Sequence, residues 1–362
     1  MPYIVNPSNS MCGCSTMKAL VYHGPRDLQL EEVPISEQPK PGEVRLKILA
    51  TGICGSDVHG YLGITGRRIP PMIMGHEFAG VVDRLGEGVE GIKIGLRATV
   101  QPVDFCGICE YCMRGETNLC TSRRFFGVMS ENGSMAEYLC VPQKLVVPLP
   151  RSLTMEQGAM TEAVAVAYGA VKRAGSIRDK DVLVVGAGPI GLFLLQMARA
   201  YGAKRVFVSD VDENRLAVAA KLGAYKTINP LKEEILFAIP GGVDVSFEAV
   251  GATPTVAQAI AATKNGGVSV WVGNSHKIIK VDMQAIVTRR LRVLGTYIYT
   301  HKEFMETVRL LGRGLIDCDA VISHRFPLEQ GPAVMADIAD RPGSYLKVVL
   351  TAASNGCDCE DE

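Results

Sequence analysis

The sequence predicts an α/β fold in two parts, a β-rich region in front and a parallel sheet with helices behind it. Three observations carry that prediction. Up to about Pro150, glycine and proline recur every few residues and helical runs are scarce. From Thr154 to Ala174 the chain turns Ala-rich and helical, and strand-like and helix-like stretches then alternate to about residue 296. Within that alternation Val182–Val185 and Val206–Val208 are unbroken apolar runs, as expected for strands buried on both faces of a parallel sheet.

Taken in order, Met17–Tyr22 reads as the first strand, which leaves residues 1–16 as a tail. From Glu43, the apolar Val44, Leu46 and Ile48 alternate with Arg45 and Lys47, the period of two of a half-buried strand. Asp181–Val185, Leu192–Tyr201 and Arg205–Ser209 read as strand, helix and strand. A helical stretch near Glu303–Gly312 follows, and Val321–Leu350 returns to the style of the first region. The expected division is therefore 17–167 with 303–352 as one domain and 168–302 as the other, with an acidic tail at 353–362.

A chain of 362 residues accommodates two domains. Lys+Arg and Asp+Glu are both 38, and a net charge of zero speaks against a basic nucleic-acid or membrane-surface binder. No apolar run approaches the ~18 residues of a membrane span. Met1–Thr16 has neither the basic start nor the apolar stretch of a signal peptide, so the expectation is a cytoplasmic protein. The 11 cysteines, clustered in a chain of this size, read first as metal ligands.

Asp181–Val185 leads into Gly186-Ala-Gly188-Pro189-Ile190-Gly191, then a helix, then a second strand ending at Asp210. This is a dinucleotide-binding signature in its full context. Gly186 permits the tight turn, Gly188 lets the backbone approach a pyrophosphate, Gly191 lets helix and strand pack closely, and the helix N-terminus meets the phosphate charge. Asp210 is placed to accept from the adenosine ribose hydroxyls and to repel a 2′-phosphate, which favours NAD over NADP; Arg215, close in sequence, leaves NADP open.

Cys106, Cys109 and Cys112, followed by Cys120, can fold into a tetrahedral Cys₄ cage within fifteen residues. Zinc suits it better than an iron–sulfur cluster. A sparser set comprises Cys54-Gly-Ser56-Asp57-Val-His59, Gly75-His76-Glu77 and Glu162. One thiol, one imidazole and one or two carboxylates would hold zinc with a position left for substrate. On spacing alone, His76 reads equally well as a core histidine and Glu162 as a solvated helix residue.

Together CGSDVH at Cys54–His59, GHEFAG at Gly75–Gly80, the cysteine quartet and VLVVGAGPIGL resemble the zinc-dependent medium-chain dehydrogenases, and within them the polyol, threonine and sugar dehydrogenase branch. The resemblance spans about Met17 to Thr351. It implies a GroES-like β-rich catalytic domain and a Rossmann domain, with the active site in the cleft between them. It further implies two zinc ions per chain and NAD. Cys54 and His76 match the firm catalytic zinc ligands, and Glu77 and Glu162 match carboxylates that ligate in some members or states. Ser56 and His59 match a proton relay, while Val250, Val272 and Gly273 match strand ends on the nicotinamide side. The implied chemistry is reversible oxidation of a secondary alcohol of a polyol, sugar or sugar phosphate to a ketone. The alternatives are a threonine or other amino-alcohol dehydrogenase, and a crystallin-like or regulatory protein that kept the fold. The expected assembly is a homotetramer or homodimer, with an exposed apolar edge around Ser269–Val272.

Three departures from the family pattern stand out. Gly95-Leu96-Arg97 replaces a Gly-Asp-Arg run, and Ile298 replaces the arginine of an Arg-Tyr pair that helps sorbitol dehydrogenases hold a polyol. The arginine pairs Arg67-Arg68 and Arg123-Arg124 are not family features; they read as solvated surface groups, with an anionic substrate contact as the alternative. Outside the two zinc sites, Cys140 and Cys318 are expected to be ordinary buried thiols, and Cys12, Cys14, Cys357 and Cys359 to be unpaired thiols in the tails, with a disulfide or adventitious metal binding as the alternatives.

Overall fold

The computed structural model describes residues 16–35, 38–129 and 131–352. The four tail cysteines lie outside them.

The alternation at Val44, Leu46 and Ile48 builds the strand Glu43–Ile53, with Val44 and Leu46 fully buried. It runs through the middle of a seven-stranded sheet, with Glu77–Leu85 antiparallel on one side and the C-terminal strand Val348–Thr351 antiparallel on the other. That return of the chain end explains why the last segment shares the character of the first. A three-stranded sheet of Asp27–Pro34, Thr16–Gly24 and Met72–Ile73 lies beside it. Leu96, which takes the place of the family's acidic residue, packs against the apolar cluster of Val44, Leu46 and Val82. The neighbouring Arg97 donates to the Leu153 carbonyl at 2.5 Å.

The second part is a six-stranded, all-parallel sheet in the order Lys226–Ile228, Arg205–Ser209, Asp181–Val185, Val243–Glu248, Thr263–Trp271, Arg292–Gly295. The chain order reverses between the third and fourth of these strands. The crevice at their C-terminal ends is where such sheets bind ligands, and the glycine turn at 186–191 stands there.

Two helices, Thr161–Ala174 and His301–Gly312, carry the chain between the sheets, and Ala165 of the first packs on Phe304 and Val308 of the second. The sequence divisions at 167/168 and 302/303 fall inside these helices. The helical stretch Thr154–Ala174 consists of two helices, Met155–Ala159 and Thr161–Ala174, the first begun by a reciprocal capping box between Thr154 and Gln157.

The expected exposed edge at Ser269–Val272 is corrected. Ser269 and Val270 are fully buried, because strand Arg292–Gly295 pairs outside them and forms the edge itself. Cys318 is buried, whereas Cys140, on the strand Tyr138–Pro142, is half-buried. Among the described residues no helix is long and apolar enough to cross a membrane.

Candidate active site

Cys54 ends the central strand's excursion and starts the short helix Gly55–Tyr61; its Sγ accepts from the Ser56 N–H at 3.4 Å. Ser56 and His59 are three residues apart on that helix and so share a face. His76 and Glu77 enter at the head of the strand Glu77–Leu85, whose register sets Glu77 opposite Gly52. A Cβ at Gly52 would lie 2.1 Å from Glu77 Oε2, so glycine there makes room for the carboxylate.

The structure brings Cys54, His76 and Glu77 together: one donor atom from each lies within 4.8 Å of the others. His76 Nδ1 and Glu77 Oε2 sit buried against charged neighbours: Glu77 Oε2 pairs with Lys347 and His76 Nδ1 faces Asp57. Thiolate, imidazole and carboxylate converging on one point form a donor set that suits zinc. Glu162 stands outside that set; its Oε1 accepts from the Tyr299 hydroxyl at 3.0 Å. Burial, with the charge of Glu77 adding and His76 opposing, pushes the Glu162 carboxyl up to about 7.

Three groups around this cluster escaped the sequence reading. Asp57, fully buried, accepts from the Cys54 N–H at 3.0 Å and lies 3.4 Å from His76 Nδ1. Burial works to raise the Asp57 pKa, but the His76 ring, Arg68 and the Cys54 N–H together hold the carboxyl below the usual range. Lys347, also buried, pairs with Glu77 and donates to the Ile53 carbonyl at 3.0 Å, a contact across 294 residues of sequence. Arg68, expected at the surface, is corrected: its side chain is 1% exposed and its guanidinium meets Asp57 at 2.7 Å. Asp57 and Arg68 stood in motifs already singled out, but nothing in the sequence linked Lys347 to the site. Arg67 is exposed, as expected. Arg124 pairs with Asp104, and Arg123 lies over the Tyr297 ring at 5.5 Å. His59 is half-buried, and burial first, then Arg68 and His276, hold its pKa below the ordinary value, which favours the neutral imidazole.

The wall facing this cluster is apolar. Phe125 meets the His76 ring edge-on with centroids 5.5 Å apart, and Phe125, Val103 and Val128 form a cluster against which Ile298 packs. Ile298 adopts φ 45°, a left-handed conformation that is costly for a β-branched residue.

The four cysteines 106, 109, 112 and 120 also converge within 4.8 Å. Backbone N–H groups point at their sulfurs, from Cys106 to Cys120 Sγ at 3.3 Å and from Cys109 to Cys106 Sγ at 3.4 Å. Amides aimed at sulfur stabilise thiolates, the form a metal requires.

At the dinucleotide turn, Gly186 has φ 98° and Gly191 passes so close to the Gly186 carbonyl that a Cβ would lie 1.8 Å from it. A Cβ at Gly188 would meet nothing within 4 Å, the open space a pyrophosphate needs. Pro189 and Ile190 open the helix Pro189–Ala200, whose N-terminus has no side-chain cap and so keeps free N–H groups. Asp210 Oδ2 accepts from the Ala187 N–H at 2.6 Å, which holds its carboxylate beside the turn. Arg215 forms an ion pair with Asp212, its buried Nε lying 3.8 Å from Asp212 Oδ2. Val250, Val272 and Gly273 follow the strands Val243–Glu248 and Thr263–Trp271 and are half-buried, as the rim of a crevice would be.

Comparison with known proteins settles the family. Residues 40–151 match the alcohol dehydrogenase GroES-like domain, and residues 189–313 match the zinc-binding dehydrogenase domain. The chain is 37% identical over 325 residues to the sorbitol dehydrogenase of Arabidopsis thaliana, covering 86% of this chain and 88% of that one. It belongs to the zinc-dependent medium-chain dehydrogenase family. This dehydrogenase is also 35% identical over 323 residues to the L-idonate 5-dehydrogenase of Vitis vinifera, with the same coverage of 86% and 88%. Among solved structures it superposes on a zinc-binding dehydrogenase of Sinorhizobium meliloti 1021 bound to NADP. The TM-score is 0.86 at 33% identity, over 93% of this chain and 99% of that one.

Proposed function

We propose that this dehydrogenase reversibly oxidises a secondary alcohol of a polyol, sugar or sugar phosphate to the ketone, with NAD as hydride acceptor and zinc held by Cys54, His76 and Glu77. The convergence of those three donors beside Ser56 and His59 is the observation that supports it most directly. When bound, zinc would supply Lewis-acid polarisation of the alcohol oxygen and the nicotinamide would supply the hydride acceptor. The chain's residues do the rest. Ser56 Oγ takes the alcohol proton and gives its own towards His59, whose imidazole is held in the neutral form by burial. Asp57 orients His76 and Lys347 offsets the buried charge of Glu77. Glu162, tied to Tyr299, is the reserve carboxylate.

The test is turnover of the zinc-loaded enzyme with NAD on a panel of polyols, sugar phosphates, aldoses and threonine. Oxidation of the hydroxylated carbon substrates, lost with a chelator and restored by zinc, is the expected result. The wall of Phe125, Val128 and Ile298 gives no hydrogen bond, so short vicinal diols are expected to be turned over more efficiently than hexitols. Threonine as the preferred substrate would displace the proposal.

NAD is proposed over NADP because Asp210 is held beside the turn by the Ala187 N–H and its charge opposes a 2′-phosphate. Replacing Asp210 by Ser is expected to raise the KM for NAD about tenfold while leaving the KM for NADP equal or lower, the scale of losing a charge-assisted hydrogen bond. An equal rise for both cofactors would reduce Asp210 to a brace for the turn.

A further inference from the structure

Arg68 occupies a slot cut for it. Its side chain is 1% exposed, and the helix Gly55–Tyr61 has glycine at position 60, where a Cβ would lie 2.3 Å from Arg68 Cδ. From that slot Nη2 donates to Asp57 Oδ1 at 2.7 Å and to Ser56 Oγ at 3.2 Å, while Nε has no partner. Pairing with Asp57 alone would explain an arginine as a counter-ion. The second bond, to the hydroxyl beside the donor cluster, is left over.

A serine hydroxyl has two lone pairs and one proton. With one lone pair filled by the Arg68 N–H, Ser56 keeps a single acceptor direction and a single donor direction. A relay uses both: the alcohol O–H bond breaks as its proton goes to Ser56 Oγ, and the Ser56 proton leaves towards His59, one turn along the same helix face. Without that bond the hydroxyl is free to turn its proton towards the substrate oxygen, an arrangement that cannot accept. We propose that Arg68 is a positioning residue that fixes the direction of proton passage through Ser56. The proposal rests on the reading of Ser56 as the relay group.

The experiment is a double-mutant cycle. Arg68→Met and Arg68→Lys are made in the full-length wild type and in Ser56→Ala, with Arg67→Gln as the exposed control. kcat, KM, the solvent isotope effect on kcat, zinc content and thermal midpoint are measured for each. Arg68→Met is expected to lower kcat about tenfold with KM within about twofold, and to raise the solvent isotope effect, as a misaligned proton transfer becomes slower. In the Ser56→Ala background the same change is expected to cost less than about twofold, because groups acting through one another are not additive. Arg68→Lys keeps the charge beside Asp57, so it keeps zinc content and midpoint and recovers part of kcat; it carries the test where Arg68→Met does not fold. An undiminished effect of Arg68 substitution in Ser56→Ala, or a loss confined to KM or zinc content, overturns the positioning role alone. A Ser56→Ala enzyme with wild-type kcat overturns the relay reading itself, and the proposal with it.

Discussion

Replacing Cys54 by Ser is expected to lower kcat/KM about 10⁴-fold, because the Lewis-acid contribution of several kcal/mol is forfeited at ~1.4 kcal/mol per tenfold. The substitution is chosen for what it preserves. Cys54 is the N-cap of the helix Gly55–Tyr61, and its Sγ accepts from the Ser56 N–H. Serine is among the best N-cap residues, so the helix that positions Ser56, Asp57 and His59 keeps its start. What changes is the ligand: a hydroxyl at neutral pH does not replace a soft thiolate on zinc. Zinc content should fall by one per chain while the Cys₄ lobe stays loaded. NADH binding should be unaffected, since the dinucleotide turn at Gly186–Gly191 belongs to the parallel sheet and not to this helix. Metal analysis, cofactor fluorescence and steady-state rates on one preparation separate these outcomes. Full activity after loss of that zinc would remove it from the chemistry.

Why the donor set was readable in the sequence and its surroundings were not follows from chain distance. Cys54, Ser56 and His59 lie within one helical turn or so, and His76-Glu77 form a dipeptide, so the sequence itself binds each group into a local unit. The turn at Gly186–Gly191 was readable for the same reason: strand, turn and helix are contiguous. Lys347 reaches Glu77 only because Val348–Thr351 pairs with Glu43–Ile53, setting Val348 opposite Ile53 while Glu77 sits opposite Gly52 on the other side. No local pattern announces such a sheet register. Arg68 shows the opposite failure. It was visible as part of a charged pair, and charged pairs are ordinarily solvated; its burial depends on Asp57 and on the missing side chain at Gly60. The misplaced edge at Ser269–Val272 has a similar origin, because the strand that covers it, Arg292–Gly295, is too short and mixed to read as a β-strand by alternation.

Cys109→Ala is expected to unfold the lobe 106–120 and, through it, to disturb the active site although the residue ligates nothing there. The lobe has almost no core of its own. Ile108 is 83% and Met113 75% exposed, and its one α-helix, Glu110–Met113, buries no residue. A segment with so little buried apolar surface would be held by a metal at the four cysteines, whose binding energy in small zinc modules is ~10–16 kcal/mol and is spent on folding. The same lobe holds the far wall of the cleft. Asn118 donates to the Tyr297 carbonyl at 2.9 Å, and Thr117 Oγ1 accepts from the His301 N–H at 2.8 Å. Arg123 donates to the Cys120 carbonyl at 3.1 Å while lying over the Tyr297 ring. Between those anchors sit Ile298, in its left-handed conformation, and Tyr299, bonded to Glu162. Release of the lobe removes the contacts that hold Ile298 in that conformation, and the segment is expected to relax. Hydrogen exchange should therefore rise at 106–120 and at 297–301 together, with protection of the parallel sheet unchanged. KM for the alcohol should increase about tenfold or more, as one wall loses its position, while the zinc at Cys54 is retained. Exchange that rises in the lobe but leaves 297–301 protected would show the two to be independent, and the cysteine quartet would then serve the lobe's own fold and nothing beyond it.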